Sequence, residues 1–376
     1  MRIAFYAPLK PPTHVNPSGD RLMGRLLMQA LEQAGHDVTL ASRFRSREAV
    51  GDPERQARLQ KVGGGLAKRL IRRYKALPAR QRPQLWFTYH LYYKAPDWIG
   101  PAVAAALKIP YVVAEASVAH KRASGPWAAS HRSVLQALEQ AAAVVTFNPL
   151  DAKLIPDQDK VRPLKAFLDT APYDAVRPLR GEYRQALAKE QHLNPELPWL
   201  LAAAMTRPGD KLASYQLLAQ ALRAIPDMPW QLVVAGDGAA YEEVRQAFAW
   251  AQPERVRFLG RVQPEVMPAL YAACDLLVWP AVNEAFGMAL LEAQAAGLPV
   301  VAGRNPGVET LVEEGVTGYL CDPGLATFAA SVREILTQTA SRSAMGEAAP
   351  RVVAENHSLL AAARRLNAIL EEASRG

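Results

Sequence analysis

Cysteine is nearly missing from this chain of 376 residues: Cys274 and Cys321 are the whole complement, and they form no CxxC. That excludes a disulfide-stapled fold, and it predicts two reduced, structural thiols. Long hydrophobic runs are missing as well. Nothing approaches the roughly 18 apolar residues of a membrane span, and the stretch from Ile3 to Leu9 is too short for a secretory leader and reads as a first strand. The expectation is a soluble, cytoplasmic protein, free to associate peripherally with the inner face of the membrane. There is no Walker A pattern, and no Ser-His-Asp arrangement can be assembled.

Charge of one sign is also missing from one interval. No Asp or Glu lies between Glu54 and Asp97, while Lys61, Lys68, Arg69, Arg72, Arg73, Lys75, Arg80 and Arg82 fall inside it. Leu66, Leu70, Ile71, Tyr74 and Leu77 recur there at helical spacing, predicting a short helix with one apolar and one cationic side. The segment Lys61 to Arg82 therefore suits an anionic membrane surface, at about 1 kcal/mol per Lys or Arg. It equally suits a solvated helix packed on its own domain. Nucleic acid is not expected, because no finger spacing, helix-turn-helix or aromatic-rich sheet motif accompanies the charge.

Half of the residues are hydrophobic and 21% are charged, an ordinary globular balance. At about 150 residues per domain the length predicts two or three domains. The net charge of +8 is unevenly spread: residues 1–190 hold 30 Lys/Arg against 16 Asp/Glu, whereas residues 191–376 hold 14 against 20. A division of +14 against −6 suggests two domains with different partners.

Short apolar runs alternate with helical patterns almost from end to end. Strands are predicted at 2–7, 38–41, 85–88, 111–114 and 143–147, then in a second series at 199–203, 231–235, 256–259, 276–279, 299–302 and 318–320. A helix follows the first, Pro-rich loop, with Leu22, Leu26, Leu27, Ala30, Leu31 and Ala34 on one face. A last helix runs from Ser358 to Ala373, with Leu359, Leu360, Ala363, Leu366, Ile369 and Leu370 as its expected buried stripe. Apolar strands alternating with helices predict α/β architecture with parallel sheets covered on both faces. The expected division is a domain over 1–172, a polar linker over 173–198, a second domain over 199–355, and a C-terminal helix over 356–376 that packs back toward the first domain. In such sheets ligands bind beyond the carboxyl ends of the strands.

The segment from Asp275 to Pro323 is the most informative. A strand ends at Trp279-Pro280, a loop follows, and a helix is predicted from about Ala285 to Ala296, closed by Gly297. Glu284 stands at its entrance and Glu292 eight residues on, about 12 Å along a helix axis and about 80° around it. Glycosidase carboxylates lie roughly 5–10 Å apart across one bond, so this pair suits two clamps on a long ligand better than a hydrolytic acid and base. Between them the first-turn amides around Phe286, Gly287 and Met288 form a natural site for phosphate oxygens. Gly287 leaves room for a ligand to approach the backbone.

The full string resembles the donor-binding segment of GT-B glycosyltransferases, in particular the retaining family 4 type. Glu284, Phe286, Gly287, Glu292, Gly297, Pro299, Val300, Gly318, Tyr319 and Leu320 carry the resemblance. It implies a GT-B fold, two doubly wound Rossmann-like domains facing across a cleft. It also implies a retaining transferase that moves a sugar from a nucleotide-diphosphate donor to a glycan, lipid-linked or small-molecule acceptor, in cell-envelope or polysaccharide synthesis. Glu284 would then contact the donor sugar, helped by Phe286 and Gly287. Glu292 would hold the ribose, and Met288 would face the diphosphate. Arg207 and Lys211 occupy the place of the family's diphosphate-binding cations, four residues apart where the family spaces them more widely. Together with Glu284 they are the expected catalytic group, since cations aimed at a departing diphosphate lower the barrier.

The family also places a Gly-x-Gly turn (here Gly236) and a loop containing Arg261 along the donor site, and a Gly-containing loop (here Gly19) against the diphosphate. Near the reacting sugar it often has a histidine. Here Glu115 and Ser117 stand nearer that position, with His120 displaced, and His90 and Asp20 are further candidates. No cofactor is expected beyond the nucleotide sugar, and no metal: Asp157-Gln158-Asp159 reads as a turn, and cationic side chains would take a metal's place on the diphosphate. Rival readings are a nucleotide-sugar epimerase or phosphorylase on the same scaffold, and a non-catalytic protein that binds nucleotide sugars or anionic surfaces.

Overall fold

A computed structural model describes residues 1–16, 18–284 and 286–375. Pro17 of the Pro-rich loop and Ala285, the expected start of the donor helix, lie outside the described residues. The chain divides into two compact units, one formed by Met1–Leu164 with Leu359–Gly376, the other by Lys165–Ser358.

The first unit runs β1 (Arg2–Tyr6), α1 (Gly19–Gln33), β2 (Asp37–Ser42), α2 (Pro53–Ala76), β3 (Leu85–Tyr92), α3 (Gly100–Leu107), β4 (Tyr111–Ser117), α4 (Ala128–Gln140), β5 (Ala143–Thr146), α5 (Pro149–Ala152) and β6 (Val161–Pro163). The second runs α6 (Ala171–Val176), α7 (Arg180–Gln191), β7 (Trp199–Ala203), α8 (Asp210–Arg223), β8 (Gln231–Ala235), α9 (Tyr241–Ala247), β9 (Val256–Gly260), α10 (Met267–Ala273), β10 (Leu276–Trp279), α11 (Met288–Ala295), β11 (Val300–Gly303), β12 (Gly318–Cys321), α12 (Leu325–Thr337) and α13 (Thr339–Asn356). The last helix, α14 (Leu359–Ala373), returns to the first unit and packs on α1.

Both units are built on six parallel strands, ordered β2-β1-β3-β4-β5-β6 and β12-β11-β10-β7-β8-β9. Each order reverses once, at β1/β3 and at β7/β10. Such a reversal leaves a crevice at the carboxyl strand ends where neighbouring loops run to opposite faces of the sheet. The strands are apolar along nearly their whole length because helices cover both sheet faces. Cys274 and Cys321 are buried free thiols.

Several expectations shift. The stretch expected as a linker forms α6 and α7, and α7 packs on α10 within the second unit. β6 carried no apolar signal, being three residues long and partly exposed at the sheet edge. Leu22 and Leu360, expected in buried stripes, are 50% and 45% exposed, and Ala362, Ala363, Leu366, Ile369, Leu370 and Ala373 form the buried face of α14.

The basic helix is not short. α2 has 24 residues, started by Asp52, whose carboxylate accepts from the Glu54 and Arg55 amides, with Pro53 in the first turn. Its apolar side is consumed internally: Gly63, Ala67, Leu70 and Tyr74 are buried, and a Cβ on Gly63 would stand 2.4 Å from Trp98 Cβ. What remains exposed is mostly cationic, including Lys61, Lys68, Arg69, Arg72, Arg73 and Lys75, with Val62 the exposed large hydrophobic among them. No helix among the described residues is long and apolar enough to cross a membrane.

Candidate functional site

In the second unit the loops after β7 and β10 meet at the reversal in strand order. The β10 loop turns on left-handed backbone at Ala281 (φ 55°), Asn283 (φ 48°) and Gly287 (φ 64°). Two of these are not glycine, and such strain persists only where surroundings hold it. Here Asn305 Nδ2 donates to Ala281 O (2.7 Å), the Val282 amide to Ser214 Oγ (3.0 Å), and Asn283 Nδ2 to Asp210 Oδ1 (2.9 Å). The loop is therefore tied to α8 on one side and to the loop after β11 on the other.

This geometry corrects the expected helix. α11 begins at Met288, not near residue 285, because the left-handed Gly287 ends the preceding path. Glu284 thus stands outside the helix, and the angular relation computed for a continuous helix does not apply to the Glu284–Glu292 pair. The Glu284 side chain is 14% exposed, bonded to Lys211 Nζ, and accepts from Trp279 Nε1 at 3.1 Å. Lys211 also lies over the Trp279 ring, 5.3 Å from its centre, and that ring meets Tyr215 edge-on. Residues expected to hold different parts of a ligand, Glu284 and Lys211, hold each other, so a bound ligand must share or divide them.

Glu292 sits within α11, partly buried, and accepts from Tyr271 Oη at 2.8 Å. Burial raises its carboxyl to about 7, partly opposed by the Tyr271 bond. Tyr173 of α6 packs near Tyr271, and its hydroxyl is raised by burial and by the Glu292 charge. Glu292 is thus an acid poised near neutrality between two phenols. Gly287 at the N-cap position of α11 gives no side-chain cap among the described residues, which leaves the Met288 end of the helix as an electropositive pole. Phe286 is partly exposed in the approach to it.

The other second-unit candidates are less converged. Arg207 is exposed, and its side chain makes no hydrogen bond among the described residues. Arg261 is exposed beyond β9, two strands from the reversal. Gly236 (φ 156°) lacks a side chain for a packing reason: a Cβ there would stand 1.8 Å from Ala204 O. That close approach brings the loops after β7 and β8 together, with the Thr206 amide donating to Asp237 O at 3.0 Å. Thr206 is itself fully buried and its hydroxyl has no partner among the described residues.

In the first unit, four of the expected residues form one cluster at the β1/β3 reversal. His90 Nδ1 lies 2.9 Å from Asp20 Oδ1, joining the end of β3 to the start of α1. His90 (φ 62°) and Glu115 (φ 59°) are both left-handed. Burial disfavours the imidazolium, but the bond to Asp20 and the charges of Glu115 and Asp20 outweigh it and raise His90. Glu115 is raised by burial against the pull of His90 and Tyr89. Ser117 bonds Asp151, extending the group along β4. Gly19 opens α1 with free space where a Cβ would stand. His120 is outside this cluster, exposed in a short 3-10 turn. Asp157 forms the turn expected of it, accepting from the Asp159 amide at 3.1 Å and pairing with Lys160.

Sequence reasoning passed over Trp279, Tyr271, Tyr173 and Asn283. Trp279 and Asn283 had a usable signal, since both lie at or just beyond a carboxyl strand end. Tyr271 and Tyr173 had none.

The family profile described as glycosyl transferases group 1 matches residues 210–352. Most of the second unit is thus similar to the group 1 glycosyl transferases. All of Lys211, Glu284 and Glu292 fall inside the matched residues, and Arg207 lies just before them. Curated relatives match the chain over similar lengths. D-inositol 3-phosphate glycosyltransferases of Corynebacterium urealyticum and Corynebacterium diphtheriae are 35% identical over 143 residues and 34% identical over 165 residues, covering 36% and 42% of this chain. The chain covers 34% and 38% of those relatives' own length. Among solved structures, a glycosyltransferase from Rickettsia africae ESF-5 has a TM-score of 0.75 at 15% identity, covering 98% of each chain. The Anabaena protein HepE, solved with UDP, has a TM-score of 0.70 at 17% identity, covering 99% of this chain and 100% of that one. At these identities the likeness establishes the fold, and that fold is GT-B.

Proposed function

We propose that the protein is a retaining glycosyltransferase that moves a sugar from a nucleotide-diphosphate donor to a hydroxyl acceptor. The observation that carries this reading is the Lys211–Glu284 pair against Trp279, set beside the Met288 end of α11 within the segment that matches the group 1 profile. The diphosphate lies over the α11 amides, Glu284 takes the sugar hydroxyls, and Glu292 takes the ribose hydroxyls. As the sugar–phosphate bond breaks, charge gathers on the diphosphate. Lys211, a positioned cation in a partly buried site, is drawn from Glu284 toward that charge, with Arg207 able to join it from the exposed loop. In this reading these cations do a metal's work, and turnover survives chelation by EDTA.

The acceptor belongs to the first unit, at the Asp20–His90–Glu115–Ser117 cluster. Support comes from its place at the β1/β3 reversal. Anomeric retention, and a role in cell-envelope or polysaccharide synthesis, rest on the family resemblance. The ligands named for HepE, UDP and UDP-glucose, make uridine diphosphate sugars the first donors to try.

The test is a screen of nucleotide sugars for release of nucleoside diphosphate, with and without EDTA, using Glu284→Gln as control. A donor turned over by the parent and not by Glu284→Gln is expected. Equal turnover by both removes Glu284 from the reaction. The exposed cations of α2 dock the protein on an anionic membrane by charge, since the apolar side of that helix is already packed. Vesicles rich in anionic lipid should sediment the parent at low salt and release it as salt rises. Undiminished sedimentation after neutralising Arg69, Arg72 and Arg73 would refute docking through this face.

A further inference from the structure

The second unit has an acidic balance, 16 Lys/Arg against 22 Asp/Glu over residues 165–358. Yet at the amino end of its sheet lies a cavity of about 560 Å³ lined by Arg177, Arg180, Arg342 and Arg351. Asp275 and Pro299, which border it, immediately precede β10 and β11. A four-residue strand such as β10 spans roughly 13 Å, so the cavity lies on the opposite edge of the sheet from Glu284 and Lys211.

Three of the four guanidinium groups are held by one edge. Arg177 Nη1 donates to Asp174 (2.6 Å) and to Ala295 O at the end of α11 (3.1 Å). Arg180 donates to Ala272 O and Cys274 O, both at 2.5 Å, and to Asp275 at 2.6 Å. Arg342 Nη1 donates to Ile335 O and Leu336 O at 2.9 and 3.0 Å. Such anchoring fixes the planes of the groups while leaving donors over. Among the described residues, Nη2 of Arg342 and all of Arg351 have no hydrogen-bond partner.

Two carboxylates line the cavity, Asp275 and Glu347. Asp275 is fully committed, accepting from Arg180, Arg184 and the Trp199 amide. The lining is therefore net positive, and burial disfavours the Arg342 cation, with the Asp275 charge opposing and the Arg180 charge adding to that effect. Thr339 and Ser343, at the start of α13, add hydroxyl donors to the same wall.

We infer that this cavity is a second anion site, which takes a phosphate group between Arg342, Arg351 and the Thr339–Ser343 turn. Fixed planar guanidinium edges with spare donors match the oxygens of a phosphate. This site is separate from the proposed donor chemistry and does not depend on it.

Thermal unfolding of the full chain tests it, with sodium phosphate compared against sodium chloride at equal ionic strength and glycerol 3-phosphate run alongside. Phosphate should raise the melting temperature saturably. A stronger response to glycerol 3-phosphate assigns the site to a phosphorylated metabolite, and an equal one assigns it to phosphate itself. The response should persist in Arg207→Gln/Lys211→Gln, whose changes lie in the donor site. Arg351→Glu, at an exposed position, should weaken phosphate at least about tenfold, and Arg351→Lys should weaken it less. Arg342→Gln should act like Arg351→Glu, and the latter keeps the test open should Arg342→Gln disturb folding. A phosphate response no larger than chloride's, one untouched by Arg351→Glu, or one lost with Arg207 and Lys211 would overturn the inference.

Discussion

Replacing Glu292 by glutamine should make the ligand-free protein more stable while harming nucleotide binding. The carboxyl titrates near 7 in the folded chain against an ordinary value of 4.5. Because the folded value is the higher one, the native state prefers the protonated form. Glu292 therefore favours folding most below about pH 4.5, and that advantage is lost as pH rises through 7. A difference of 2.5 pH units corresponds to about 3 kcal/mol above pH 7, and water reaching the partly exposed side chain makes this a ceiling. Glutamine keeps the shape and still accepts from Tyr271 without a charge to bury. For a unit of this size, about 3 kcal/mol corresponds to a rise of roughly 6–12 °C in melting temperature.

The assay is calorimetry of parent and Glu292→Gln at pH 8 and at pH 5. The variant should melt higher at pH 8, by up to that ceiling, and the gap should shrink strongly at pH 5. In parallel, titration with UDP at pH 8 should show binding weakened by tenfold or more. A variant no more stable than the parent at pH 8, or one whose advantage is the same at pH 5, would refute the claim that an ionised carboxylate is held there at a cost.

Four further outcomes follow from the same geometry. Tyr271→Phe removes the bond that lowers Glu292, so the pH at which UDP binding half-fails should move upward in a binding–pH profile. Gly287→Ala forces a side chain onto φ 64° with Leu290 Cδ1 at 2.9 Å, and urea unfolding should show a loss of about 1–3 kcal/mol. Glu284→Gln should lower sugar transfer by 10²–10³-fold in a kinetic assay, while UDP affinity changes far less. In α2, Gly64→Ala and Gly65→Ala meet open space and should each stabilise by about 1 kcal/mol, whereas Gly63→Ala, driven against Trp98, should destabilise.

Much of the architecture was readable because parallel strands covered on both faces must be apolar along their length. Eleven of the strands announced themselves in this way, and β6 did not because its three residues include a proline and an arginine. Helix faces were less legible. Leu22 and Leu360 fit their stripes by spacing, yet both stay about half exposed, because spacing does not say which neighbour packs where. In the candidate site, Glu284, Glu292 and Lys211 were legible as residue types in a patterned segment, whereas their partners were not. Tyr271 reaches Glu292 across 21 residues, and Tyr173 approaches from a stretch that reads as a linker.

The order of residues determined which segments are strands, where each loop must leave a sheet, and which acids and bases stand at those exits, because hydrophobic period and turn chemistry are local properties. The tertiary structure alone decided that Lys211 and Glu284, 73 residues apart, neutralise one another, that Glu292 titrates near 7, and that the apolar side of α2 is already spent. Those are consequences of which surfaces exclude water together, and exclusion of water depends on neighbours brought in from distant parts of the chain.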